Sequence, residues 1–96
     1  MRRDMDLVRD VLRELSEASG PLDARALACD AHPFEEVAYH FGIIVEAGLA
    51  RGRVTRAWGG APVAATLDSL TWEGNDFLDK EKARGLPRLR AQAFSG

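Results

Sequence analysis

The chain has 96 residues, of which 46% are hydrophobic and 29% are charged, and its formal net charge is −2. This length suits a single domain with one core, and the composition is too apolar for a disordered chain. The single cysteine, Cys29, excludes an intramolecular disulfide, and the longest apolar run is far shorter than the ~20 residues that span a bilayer. We therefore expect a cytoplasmic protein without membrane contact.

Charge is distributed unevenly along the chain. Residues 1–50 contain five basic and ten acidic residues, whereas residues 51–96 contain eight basic and five acidic residues. The overall acidic balance is not typical of a nucleic-acid-binding protein, but the basic half could present a local cationic patch.

The first segment is predicted to be an amphipathic helix. Its apolar stripe has three- and four-residue spacing and consists of Met5, Val8, Leu12 and Leu15. Asp4 or Asp6 is expected to cap the first turn, where the amides lack partners. Residues 19–21 predict its end, with Gly20 in the left-handed conformation.

Residues 22–32 fit two structures. Their alanine content favours a short helix, while the positions of Leu27 and Cys29 also suit a short buried strand. Between the two, we favour a strand at 25–29.

The strongest helix signal follows at Pro33. Glu35 and Glu36 suit the positive end of the helix dipole, and Gly48 is a natural C-cap. Its broad apolar face consists of Phe34, Val37, Ala38, Phe41, Ile44 and Val45. Gly42 costs such a helix about 1 kcal/mol relative to alanine, which predicts a neighbouring element close to it.

From Leu49 the period becomes two, which predicts a β-hairpin. Arg51, Arg53 and Thr55 share one face of the first strand, and Val54 lies on the other. Residues 59–62 form the predicted turn, and residues 63–70 form the returning strand.

A last helix is predicted from Trp72 to about Lys82. Thr71 is its expected cap, and Trp72, Phe77 and Leu78 are expected to face inward. Gly85 and Pro87 are expected to end it. We therefore divide the chain into a domain over 1–83 and a flexible basic tail over 84–96.

The order helix, short element, helix, two-stranded wing, helix resembles that of an α+β winged helix-turn-helix domain. Four blocks within residues 2–79 carry a closer resemblance: RRDMDLVR at 2–9, EEVAYH at 35–40, EAGL at 46–49 and LTWEGNDFLD at 70–79. They resemble a small family of unknown function that is found in phages, prophages and other mobile elements. The resemblance implies a winged-helix-like fold and a mobile-element origin, and it implies no activity.

Catalysis is not expected. Cys29, His32 and His40 are too few for a zinc site, and no third group accompanies a nucleophile–base pair. We interpret them as a buried thiol, a helix-start histidine and a surface or half-buried histidine. The sequence therefore predicts no enzyme, no cofactor and no metal site.

Two binding functions remain. A DNA-binding transcriptional regulator could contact phosphates through Arg51, Arg53 and Arg56 and through the tail. However, the polar positions of the presumed recognition helix lack the side chains that read guanine and adenine edges. These positions are Glu35, Glu36, Tyr39, His40 and Glu46.

A host protein complex fits the charges better, so we favour a module that inhibits a defence complex, such as CRISPR, or a transcription complex. The predicted partner-binding residues are Glu35, Glu36, Tyr39, His40, Arg51, Arg53, Arg56 and Trp58. Trp58 is either an exposed anchor or a lid over the core edge, whereas Trp72 is expected in the core. A homodimer through the first or last helix is compatible with either function.

Overall fold

A computed structural model describes residues 2–85, with side chains described for residues 2–81. Its helices are α1 (Met5–Glu17), α2 (Ala24–Leu27), α3 (Phe34–Glu46) and α4 (Trp72–Gly85), and its strands are β1 (Leu22–Asp23), β2 (Ala50–Arg56) and β3 (Pro62–Leu70). The strands form one antiparallel sheet in the order β1-β3-β2. The predicted α+β class is therefore confirmed.

Helix α1 is amphipathic, as its spacing predicts. The Asp4 carboxylate caps it by accepting hydrogen bonds from the backbone N–H groups of Asp6 and Leu7. Met5, expected in the apolar stripe, is 41% exposed, and the buried stripe begins at Leu7 instead. The helix ends as the chain becomes extended at Ala18, so the predicted left-handed Gly20 is wrong.

The preferred strand at 25–29 is also wrong. Only Leu22 and Asp23 of this segment form a strand, which pairs with β3, and α2 follows at once. The cause is local, because the Asp23 carboxylate accepts a hydrogen bond from the Arg25 backbone N–H and so starts a helical turn. Alanine-rich residues then continue that turn.

Helix α3 crosses the core and confirms the predicted apolar face. It packs against α1, α2, β2 and β3. The buried core consists of Leu7, Val8, Val11, Leu12, Leu15, Ala24, Val37, Ala38, Phe41, Ile44, Ala50, Ala65, Leu67 and Leu78. Gly48 ends the helix with φ of 77°, as predicted for a C-cap.

Close backbone approach occurs at Gly74 rather than at Gly42. Strand β2 does pass beside Gly42, as predicted, but a Cβ there would meet only the Val54 and Arg56 side chains at an ordinary distance of 3.8 Å, so the contact does not require glycine. A Cβ on Gly74 would collide with the carbonyl oxygen of Leu49. Gly74 therefore allows α4 to pack directly on the segment that joins α3 to β2.

The hairpin follows the prediction, and the last helix departs from it in the burial of Trp72 and in where it ends. The turn between β2 and β3 is closed by a hydrogen bond from the Ala57 N–H to the Ala61 carbonyl at 2.8 Å. Thr71 caps α4 by accepting a hydrogen bond from the Gly74 N–H at 3.1 Å. However, Trp72 is 86% exposed and does not lie in the core.

The position of Gly74 explains the exposure of Trp72. Two residues correspond to about 200° of helical rotation, so Trp72 points away from the side on which Gly74 meets Leu49. Leu78 and Phe77 do face the core, as predicted.

Helix α4 continues to Gly85, beyond the predicted end near Lys82, and the predictions for residues 86–96 lie outside the described residues. Among the helices of residues 2–85, not one combines the length and apolar character needed to cross a membrane.

Candidate protein-binding surface

The outward face of α3 has a carboxylate at each end and uncharged side chains between them. It consists of Glu35, Tyr39, Ile43 and Glu46, which lie opposite the buried face of the helix. Glu35 and Glu46 are exposed, while Tyr39 and Ile43 are half-buried. No lysine, arginine, asparagine or glutamine occurs in α3, so the helix itself presents no cation to a ligand.

Two arginines of β2 lie on the outer face of the sheet. Arg51 is opposite Ser69 and Arg53 is opposite Thr66 in the β2–β3 register. Both arginines are exposed, and Val54 is half-buried on the other side of the strand, as the period of two predicts. The residues directly opposite them carry no charge, while the exposed Asp68 lies between these two partners at a register shift in β3.

Arg56 differs from the other two hairpin arginines. Its Nη1 donates a hydrogen bond to the carbonyl oxygen of Gly60 at 3.0 Å. Its Nη2 lies 3.8 Å from the position that a Cβ on Gly42 would occupy. Arg56 therefore fixes the hairpin turn and reaches toward α3, so the three arginines do not form one equivalent row.

Most other cations of residues 2–81 already have intramolecular partners. Those partners are Asp6 and Glu81 for Arg9, Asp10 for Arg13, Asp76 for Lys80, and the Val63 carbonyl and the Phe34 ring for Arg25. In contrast, the side chains of Arg51 and Arg53 form no ion pair or hydrogen bond with any described residue, and the same holds for Arg2 and Arg3 at the start of the chain. The guanidinium groups of Arg51 and Arg53 are available to a ligand.

Trp58 is fully exposed at the turn of the hairpin, with a relative accessibility of 102%. It therefore does not cover the edge of the core, and the interpretation as a lid is wrong. The two glycines that follow it, Gly59 and Gly60, have φ angles of 89° and 91°, which turn the chain back into β3. The tight turn presents the indole at the tip of the hairpin.

His40 is fully buried, which corrects the expectation of a surface or half-buried side chain. Its Nε2 accepts a hydrogen bond from the Asp4 N–H at 2.8 Å, and its Nδ1 donates to the Glu36 carbonyl at 2.7 Å. A carbonyl oxygen only accepts, so the ring proton lies on Nδ1 and the ring is neutral. His40 is a structural link between α1 and α3, not a group that a partner reaches.

The two predicted acidic residues at the start of α3 also differ. Glu36 is half-buried, and its Oε1 lies 2.7 Å from Nδ1 of His32, which directly precedes the N-cap of α3. Glu35 is exposed on the outward face. The expected helix-start histidine is thus confirmed, and Glu35 is the more accessible of the two carboxylates.

Cys29 is exposed, so the expected buried thiol is wrong. Within residues 2–81, histidine, cysteine and acidic side chains do not form a group of three that could hold a metal ion.

Ile43 belongs to the outward face of α3 but is not among the residues predicted from the sequence. Its position four residues after Tyr39 was the signal that places it on the same helix face.

A family model described as "Hypothetical protein (DUF2513)" matches residues 2–86. The chain belongs to the DUF2513 family. The match spans the described part of the DUF2513 chain and includes both α3 and the hairpin. Membership in an uncharacterised family, as the sequence blocks predict, is therefore confirmed. No curated protein and no solved structure matches this DUF2513 member.

Proposed function

We propose that this protein is a non-enzymatic, winged-helix-like module of phage or mobile-element origin that binds a host protein. The biological outcome would be inhibition of a defence complex, such as CRISPR, or of a transcription complex. The observation that carries the proposal is the fully exposed Trp58 at the tip of a cationic hairpin. The acidic outward face of α3 provides a second surface for a protein partner.

The winged-helix arrangement is supported by the order of the elements. In this proposal α2 and α3 are the helix-turn-helix pair, α3 is the recognition helix, and the β2–β3 hairpin is the wing. The short β1 adds to β3, which gives the sheet its order β1-β3-β2.

A protein partner is favoured over DNA by the chemistry of α3. Base edges are read mainly by arginine, lysine, asparagine and glutamine, and α3 contains none of them. In the usual pose, Glu35 and Glu46 would approach the phosphates and repel them. An exposed tryptophan, in contrast, supplies a large apolar area with one hydrogen-bond donor, which is typical of protein-binding hot spots.

A second candidate function is DNA binding, and the free guanidinium groups of Arg51 and Arg53 favour it. Phosphate contacts by such cations give an affinity that is independent of sequence and falls steeply with salt. In this alternative the hairpin, rather than α3, contacts the duplex.

The chain offers a matched pair of variants for testing the protein-binding proposal, since Trp58 and Trp72 are both exposed tryptophans. Tagged wild-type protein, Trp58→Ala and Trp72→Ala are each used to capture proteins from a bacterial lysate, with quantitative mass spectrometry. We expect a specific protein whose recovery falls at least about tenfold with Trp58→Ala and stays unchanged with Trp72→Ala. Equal recovery of every protein by all three forms contradicts the proposal.

The same preparations distinguish the DNA alternative. Fluorescence anisotropy is measured with a random-sequence duplex at about 50 and 200 mM salt, the range over which phosphate contacts weaken strongly. Micromolar or tighter binding that falls steeply with salt favours the DNA-binding regulator. Absence of binding at the lower salt concentration favours the protein partner.

A further inference from the structure

Strand β2 lies at an open edge of the sheet. It pairs only with β3, and its seven residues from Ala50 to Arg56 include no proline. An edge strand of this kind presents unpaired N–H and C=O groups that can pair with another chain. The opposite side of the sheet is partly covered, because β1 pairs with β3 and Arg25 donates to the Val63 carbonyl at 2.8 Å.

The side chains along β2 carry positive charge, which favours a partner with negative charge. Arg51 and Arg53 are two residues apart, so they project from the same face with about 7 Å between their Cα atoms. Neither forms an ion pair with a carboxylate among residues 2–81. Two exposed carboxylates lie on the same sheet, Asp23 beside Thr66 and Asp68 between Leu67 and Ser69, and neither forms an ion pair with Arg51 or Arg53.

We propose that an extended acidic segment of the partner protein adds to the free edge of β2 as a fourth strand. Backbone hydrogen bonds would provide the pairing, and carboxylates two residues apart would contact Arg51 and Arg53. This inference rests on the proposed function, for which it specifies the chemistry of the partner and the mode of binding.

A second copy of this chain is a poorer occupant of the same edge. An antiparallel pair of β2 strands centred on Gly52 or Arg53 places arginine opposite arginine, and like charges directly opposite each other are destabilising. An acidic strand avoids this repulsion at every register. The charges of β2 therefore oppose self-pairing and favour a different, acidic chain.

The test uses the full chain labelled with ¹⁵N and a capped peptide of alternating valine and glutamate. One control peptide has lysine in place of glutamate, and another carries N-methyl groups on alternate amides, which removes backbone donors and keeps the charge. We expect amide shift changes concentrated in β2 with the acidic peptide, no binding of the lysine peptide, and at least tenfold weaker binding of the N-methylated peptide.

Two double variants make the same arginine-to-glutamate change at different places in the chain. Arg51→Glu with Arg53→Glu should weaken the acidic peptide at least tenfold, while Arg2→Glu with Arg3→Glu should leave its affinity within about twofold. If circular dichroism shows that the first double variant is unfolded, Arg51→Gln with Arg53→Gln replaces it, with the same expected direction.

Three results would overturn the inference. The first is an absence of binding of the acidic peptide, and the second is equal binding of the N-methylated and unmethylated acidic peptides. The third is displacement of the acidic peptide by duplex DNA whose own binding requires Arg51 and Arg53. Loss of peptide binding alone leaves the proposed function intact if protein capture still depends on Trp58. Loss of the Trp58 dependence overturns the proposed function as well, so the two failures are distinguishable.

Discussion

Nε2 of His40 accepts a hydrogen bond from the backbone N–H of Asp4 across 2.8 Å, so α3 holds the residue that caps α1. The other ring nitrogen donates to the Glu36 carbonyl, and the imidazole is fully buried between them. One ring therefore supplies the acceptor for the Asp4 N–H and gives the Glu36 carbonyl a donor in addition to the helical N–H four residues further on.

Replacement of His40 by phenylalanine is expected to destabilise the protein by about 2–3 kcal/mol. The substitution retains an aromatic ring but leaves the partly buried Asp4 N–H without its acceptor and removes the side-chain hydrogen bond to the Glu36 carbonyl. Urea unfolding followed by circular dichroism measures the free energy of unfolding. His32→Gln is the control, since His32 is half-buried and its ring bonds to the Glu36 side chain rather than to a backbone group, and it should cost less than about 1 kcal/mol. Equal costs for the two variants would mean that the His40 hydrogen bonds contribute little.

The side-chain carboxylate of Asp4, which caps α1, is expected to stabilise the protein independently of the Asp4 backbone N–H. Asp4→Ala removes the acceptor for the Asp6 and Leu7 amides but keeps the N–H that bonds to His40. The expected loss is about 1 kcal/mol in the same unfolding assay. Asp10→Ala removes an exposed carboxylate that pairs with Arg13 in the same helix, and should cost no more than about 0.5 kcal/mol. A cost for Asp4→Ala below that of the control would contradict the capping role.

Gly74→Ala is expected to be among the most destabilising alanine substitutions, at about 2–3 kcal/mol. The added Cβ would collide with the Leu49 backbone carbonyl, which is held in place because Thr71 N–H donates to it at 3.1 Å. Gly20→Ala provides the matched control, because no heavy atom lies within 4 Å of its added Cβ and its φ is not positive. Thermal unfolding should show a melting temperature several degrees lower for Gly74→Ala and nearly unchanged for Gly20→Ala. A reversed order would exclude this close approach.

Periodicity alone predicts the parts of the fold that have long, regular patterns. The 3.6-residue period locates α1 and α3, and the change to a period of two at Leu49 locates the hairpin. For α2, four residues are too few to show a period, so the sequence leaves both a helix and a strand open, and the hydrogen bond from the Arg25 N–H to Asp23 decides for the helix.

Side-chain burial was harder to predict than secondary structure, because tertiary contacts decide it. His40 is buried because α1 supplies a backbone donor from 36 residues away, and no local pattern encodes that contact. Trp72 is exposed because the backbone approach at Gly74 fixes which side of α4 faces the core. For the candidate surface, the hairpin arginines could be assigned to one face from sequence, while the engagement of Arg56 with Gly60 depends on the turn geometry.

Reversing the charge of the outward α3 face is expected to convert this surface from one that repels DNA into one that attracts it. Glu35→Lys with Glu46→Lys places two cations on the exposed face, where each phosphate contact adds to a salt-dependent affinity. We expect duplex affinity at about 50 mM salt to rise at least tenfold in an anisotropy titration, and capture of the Trp58-dependent protein partner to fall.

The control for this reversal is Glu14→Lys with Glu17→Lys, which makes the same charge change on the exposed side of α1. A local effect of α3 predicts a much smaller gain in DNA affinity for this control. Equal gains for the two double variants would mean that net charge, rather than the position of Glu35 and Glu46, controls duplex binding. In that case the acidic α3 face would no longer favour a protein partner over DNA, and the exposed Trp58 would be the remaining support for that choice.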